Sequence, residues 1–123
     1  MAKVLIVEDE KALNQAYQIV LKRQGHKVAS AFNGEEALEL FKKQLPDLVL
    51  LDLRLPKVDG VEFLKQLSPH KNYSDTKIII FSNYDDQEEI DKAFQHGATR
   101  YILKAWSSPQ ELVKVVDESL AKS

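Results

Sequence analysis

A chain of 123 residues with a formal net charge of −2 is the size of one domain and long enough to bury a single sizeable core. Its 44% apolar and 29% charged residues exclude gross disorder, and the slightly acidic balance, with lysines spread rather than blocked, excludes an electrostatic footprint for nucleic acid. The absence of cysteine excludes a disulfide framework and a thiolate metal site, and apolar runs of about five or six residues fall far short of a membrane span, so a cytoplasmic domain is expected.

Short apolar runs alternate with helical periodicity five times, the pattern of repeated strand–helix units and of a parallel α/β sheet. Met1-Ala2-Lys3 leads straight into the first predicted strand, 3–7, so no signal peptide is expected; Val4-Leu5-Ile6-Val7 then ends in Glu8-Asp9-Glu10. The first helix sets Leu13, Ala16, Tyr17, Val20 and Leu21 on one face and stops at Gly25. A second strand is predicted over 27–31. The helix after it starts at Asn33, with Glu36 as its capping partner, and buries Ala37, Leu38 and Phe41.

The third strand, 47–52, ends in Leu50-Leu51-Asp52, and the loop Leu53-Arg54-Leu55-Pro56-Lys57-Val58 runs to Asp59-Gly60, where Asp59 and Glu62 form the next capping pair. The longest predicted loop is 68–75. The fourth strand, 77–82, carries Ile78-Ile79-Ile80-Phe81 and ends in Ser82; its helix has early acids (Asp85, Asp86, Glu88, Glu89) suited to the helix dipole and closes at Gly97. A fifth strand, 100–104, carries Tyr101-Ile102-Leu103 and ends in Lys104, and Ser108-Pro109-Gln110-Glu111 opens the last helix with a cap, a proline and a glutamate in register. No repeat, linker or low-complexity segment interrupts this order, so residues 1–123 are expected to form one domain with no output module in the chain.

Four apolar runs thus end in acid, acid, hydroxyl and ammonium. Ligands of open α/β sheets bind outside the carboxyl ends of the strands, and a carboxylate there avoids the desolvation it would suffer mid-strand. The set suits a divalent cation and a phosphoryl group: carboxylates for the metal, Asp52 as nucleophile, Ser82 and Lys104 for phosphoryl oxygens. Taken singly, each residue has a plainer role. Glu8 and Asp9 could be a solvated acid pair capping the first helix, Asp52 a strand-end cap, Ser82 a turn residue and Lys104 a solvated one. Their value lies in ending separate strands that a parallel sheet brings to one rim. His26, His70 and His96 lack metal-like spacing and are read as solvated. Trp106 is read as half-buried packing before an exposed anchor for a partner.

In order, the acidic pair, Asp52, Pro56, Asp59-Gly60, Ser82, Gly97-Ala98 and Lys104 resemble the receiver domain of bacterial two-component response regulators, over essentially the whole chain. The resemblance implies a flavodoxin-like, doubly wound (βα)5 fold with a five-stranded parallel sheet of order 2-1-3-4-5. It implies Mg²⁺ held by Glu8, Asp9, Asp52 and the backbone carbonyl of Arg54, and phosphorylation of Asp52 by a histidine kinase or phosphotransfer protein. Ser82 would turn toward the phosphoryl oxygens, and Tyr101, three residues before Lys104, would rotate inward, against an equally open reading of Tyr101 as an ordinary amphipathic strand residue. The output surface would be the fourth helix, fifth strand and fifth helix, through which a downstream protein or a phosphorylation-favoured homodimer would form; no membrane and no direct nucleic-acid contact is expected. Such a domain catalyses its own phosphorylation and dephosphorylation but turns over no metabolite.

This sequence departs from the family at Ala105, where Pro and a cis peptide are usual, and the Lys104–Ala105 bond is expected to be trans because a non-proline cis bond costs about 3–4 kcal/mol. Arg54, Asn83 and Tyr84 place unusual side chains at the expected entrance, which bears on phosphoryl lifetime and kinase access. Other readings are a pseudo-receiver that binds partners without phosphorylation, a haloacid-dehalogenase-like phosphohydrolase, which would carry its nucleophile on the first strand, and a flavodoxin-like FMN carrier, whose phosphate the acidic Glu8-Asp9-Glu10 after the first strand would repel.

Overall fold

The computed structural model describes residues 2–68, 73, 75–82, 86–104 and 108–121. Expectations for His70, Asn83, Tyr84, the Lys104–Ala105 peptide and Trp106 lie outside them. Strands and helices alternate throughout: β1 (Lys3–Val7), α1 (Lys11–Arg23), β2 (Lys27–Ala31), α2 (Gly34–Gln44), β3 (Leu48–Leu51), α3 (Gly60–Leu67), β4 (Lys77–Ser82), α4 (Gln87–Gln95), β5 (Arg100–Leu103) and α5 (Pro109–Ala121). The five strands pair in parallel in the order β2-β1-β3-β4-β5, as the resemblance implied.

Strand alternation divides the core into two layers. Leu5, Val7, Val49, Leu51, Ile78 and Ile80 pack on one side with Phe41 of α2, Phe63 of α3 and Ala93 of α4. On the other side Val4, Ile6, Leu48, Leu50, Ile79 and Phe81 meet Tyr17 and Leu21 of α1 and Leu112, Val115 and Val116 of α5. The helix starts follow the capping signals: Asn33, Asp59 and Ser108 accept from the amides of Glu36, Glu62 and Glu111 at 2.9, 2.9 and 3.2 Å.

Several expectations are corrected. β3 and β5 are shorter than predicted: Asp47 precedes its strand, accepting the Lys3 amide at 2.9 Å through its side chain, while Asp52 and Lys104 fall just past theirs. Leu38 is half-buried, unlike Ala37 and Phe41. His26 is not solvated: its ring is 8% exposed beside β1 and α5, and Nδ1 accepts the Ala2 amide at 3.2 Å. Among the described residues no helix is long and apolar enough to cross a membrane.

Candidate functional site

Parallel pairing sets the strand ends level, with Val7 opposite Leu51, Leu51 opposite Ile80 and Ser82 opposite Leu103. The residues that follow, Glu8, Asp52 and Lys104, therefore meet at one rim beside Ser82. Lys104 Nζ donates to Asp52 Oδ2 at 3.0 Å and to Glu8 Oε1. All three side chains are buried, with 7% of Lys104, 4% of Glu8 and 10% of Asp52 exposed. Burial alone would lower the Lys104 pKa, but the Glu8 and Asp52 carboxylates outweigh it and hold the ammonium above its ordinary value. Burial pushes the Glu8 carboxyl up, with Lys104 opposing.

The acids do not serve as caps. The residue at the start of α1 is Glu10, which makes no side-chain capping bond; instead Glu8 Oε2 accepts the Glu10 amide at 3.2 Å. Asp52 Oδ1 accepts the Arg54 amide at 3.1 Å, a local turn outside any helix. Carboxylate oxygens of Glu8, Asp9 and Asp52 lie within 4.8 Å of one another. Asp9 is exposed, and the cluster offers only hard oxygen donors, which fits a hard cation such as Mg²⁺ that keeps several waters. Ser82 is fully buried at the end of β4. Tyr101 is half-buried against the layer under α2, α3 and α4.

The loop carrying Asp52 is clamped from two sides. A Cβ at Gly60 would stand 2.6 Å from Leu53 Cα and 2.7 Å from the Asp52 carbonyl oxygen, and one at Gly34 would stand 1.8 Å from the Val58 carbonyl oxygen. Both approaches are backbone against backbone, so only glycine fits. Beside the cluster opens a cleft of about 650 Å³ lined by Asp9, Arg54, Pro56, Glu62, Lys65 and Glu89, and an Arg54 Nη2–Glu89 Oε1 ion pair of 3.2 Å ties the loop to α4.

Two residues near the acids carried no functional signal in the sequence reading. Tyr17 packs edge-on against Phe81 at 5.3 Å; burial and then the Glu8 and Asp52 charges push its phenol pKa up. Asn14, fully buried, donates to the backbone carbonyls of Glu8 at 2.9 Å and Ala31 at 3.2 Å. The available signal was an amide on the stripe Asn14, Tyr17, Leu21, where a buried side chain would otherwise be apolar.

The family model described as response regulator receiver domain matches residues 4–117. The alkaline phosphatase synthesis transcriptional regulatory protein PhoP of Bacillus subtilis is 38% identical over 123 residues, covering 98% of this chain and 49% of that protein. The transcriptional regulatory protein AfsQ1 of Streptomyces coelicolor is 35% identical over 104 residues, 85% of this chain and 45% of its own length. The chain thus spans about half the length of these curated relatives. Among solved structures, a CheY-like receiver domain protein from Methanospirillum hungatei superposes with a TM-score of 0.91 at 28% identity, covering 99% of this chain and 95% of that one. Chemotaxis protein CheY4 of Vibrio cholerae gives 0.88 at 30% identity, covering 98% and 99%.

Proposed function

Because this chain belongs to the response regulator receiver family, we propose that it is a phosphorylation-operated switch of a two-component relay with Asp52 as its acceptor. The observation that carries this reading is the buried Lys104 ammonium bridging Asp52 and Glu8 at a rim that also holds Asp9 and Ser82. An Asp52 carboxylate oxygen attacks the phosphorus of a phosphohistidine on a kinase or phosphotransfer protein. The acyl-phosphate P–O bond forms as the P–N bond breaks, and the imidazole nitrogen keeps the electron pair.

The side chains of Glu8, Asp9 and Asp52, with the Arg54 carbonyl, would hold Mg²⁺, which when bound would supply positive charge to phosphoryl oxygens. Lys104 exchanges part of its carboxylate contact for the phosphoryl group, and the Ser82 hydroxyl donates to another phosphoryl oxygen. Inward turning of Tyr101 then transmits the change to the surface of α4, β5 and α5, where a downstream protein or a second copy binds. Beyond its own phosphorylation and dephosphorylation the domain turns over no metabolite. It works in the cytoplasm, and direct nucleic-acid or membrane contact is no part of its role.

The test is intact-mass measurement after incubation with acetyl phosphate and Mg²⁺. Wild type gains one phosphoryl mass that maps to a peptide containing Asp52, and Asp52→Asn gains none. A modified peptide without Asp52 overturns the assignment, and an unmodified wild type leaves a phosphorylation-independent partner-binding module.

A further inference from the structure

We infer that Asn14 is a positioning residue for the acidic turn after β1, setting the affinity of the Glu8–Asp9–Asp52 cluster for a divalent cation although its own side chain reaches none of the carboxylates. The inference rests on the metal-dependent reading of that cluster. Asn14 lies one turn into α1 and is wholly buried. Both amide hydrogens are used, one on the Glu8 carbonyl at 2.9 Å and one on the Ala31 carbonyl at 3.2 Å, while Oδ1 accepts from Gln18 Nε2 at 2.8 Å. Gln18 Nε2 in turn donates to Ser30 Oγ at 3.2 Å. The Asn14 amide is thus held in one orientation by a chain of bonds running from the acidic turn to β2.

What this network holds is the place where β1 stops being a strand. The Glu8 amide still pairs across the sheet with the Ala31 carbonyl at 3.1 Å, but the Glu8 carbonyl is taken by Asn14. From there the chain turns into α1, whose start makes no side-chain capping bond. Asn14 instead grips the turn from inside the helix by donating to its carbonyl, a bond complementary to that of a cap, which would accept from an amide. Without it the Glu8 carbonyl would lose its partner and reorient, and the adjoining Glu8 and Asp9 carboxylates would move with it. Groups that orient ligands from outside the metal's own shell affect affinity in this way.

The test compares Asn14→Leu, Gln18→Leu and Leu21→Ala with wild type. Leu21 is buried at the other end of α1 and makes a stability control remote from the turn. Mg²⁺ is titrated alone and followed by backbone amide chemical shifts, and amide exchange of Glu10 is measured in metal-free protein. Asn14→Leu should weaken Mg²⁺ binding about tenfold, within the range seen for outer-shell ligand supports, and should speed Glu10 exchange. Gln18→Leu should show the same changes in smaller degree, and Leu21→Ala should keep wild-type affinity despite its lost stability. Wild-type affinity in Asn14→Leu overturns the inference; should that variant not fold, wild-type affinity in Gln18→Leu overturns it. Equal loss in Leu21→Ala also overturns it by reducing the effect to general destabilisation. A wild type that binds no Mg²⁺ refutes the underlying metal reading, an outcome distinct from a bound wild type with an unaffected variant.

Discussion

Replacing Lys104 with Met keeps a long unbranched side chain but removes the one cation that contacts both Glu8 and Asp52 among the described residues. Those carboxylates are 4% and 10% exposed, so they would face each other nearly desolvated. Breaking a buried ion pair by removing one partner costs about 3–5 kcal/mol. With an unfolding entropy of about 2.1 cal/mol/K per residue, that is a fall in melting temperature of about 12–19 °C for a chain of this length. A proton can relieve part of the loss. Burial already raises the Glu8 carboxyl, against Lys104, and removing Lys104 raises it further. A folded-state value above the unfolded one means stability is lost as pH rises from the ordinary carboxylate range through the folded value. The gap between wild type and Lys104→Met should therefore grow as pH rises from 5 to 8. Over this window Lys104 itself stays charged in the wild type, the stability from its raised pKa being lost only in the alkaline range. Thermal melts by circular dichroism in metal-free buffer at four pH values measure the gap directly. An equal gap at pH 5 and pH 8, or one below about 1 kcal/mol throughout, would refute the view of Lys104 as the counter-ion of a buried carboxylate pair.

Gly60→Ala should lose about 1–3 kcal/mol in denaturant titration, the range for forcing extra atoms into a packed site, and should slow labelling of Asp52 because the new Cβ presses on that residue's carbonyl. Asp9→Asn should weaken Mg²⁺ binding while leaving the melting temperature of metal-free protein unchanged or slightly higher, since an exposed like charge is removed from the cluster; isothermal titration and melts read the two effects separately. Phe41→Ala should cost about 3–5 kcal/mol by denaturant titration, because a fully buried ring with edge contacts to Phe63 and Tyr73 is lost. Light scattering with beryllium fluoride and Mg²⁺ should register a larger mass if the α4–β5–α5 surface pairs with a second copy, and an unchanged mass would leave that surface to a different protein.

The fold was legible because its signals are local and mutually consistent. Apolar runs such as Ile78–Phe81 are buried on both faces, as central parallel strands require, and Asn33, Asp59 and Ser108 cap the helices their positions announced. The boundaries of β3 slipped at two aspartates whose amides still bond to the neighbouring strand, Asp47 to the Lys3 carbonyl and Asp52 to the Val7 carbonyl, while their side chains take partners of their own. Asp47 turns its carboxylate to the Lys3 amide, and Asp52 bends to the Arg54 amide just as β3 ends. Convergence of Glu8, Asp52, Ser82 and Lys104 could be anticipated for the same reason, since parallel strands carry their carboxyl ends to one rim whatever the helices do.

What sequence could not carry is partner choice inside that rim. Whether Lys104 pairs with Asp52 alone or is shared with Glu8 depends on sub-ångström placement of three buried side chains, and nothing in the spacing of 8, 52 and 104 encodes it. Asn14 and His26 share this origin. Each is polar, each looks ordinary in a list of residues, and each is buried because a neighbouring backbone group, the Glu8 carbonyl or the Ala2 amide, needs a partner that the sheet does not supply. Such demands arise where strands end, and the residues that meet them lie beyond the strand itself, six residues on for Asn14 and 24 for His26. That is why the sequence located the acidic rim but missed Asn14, which supports it from α1.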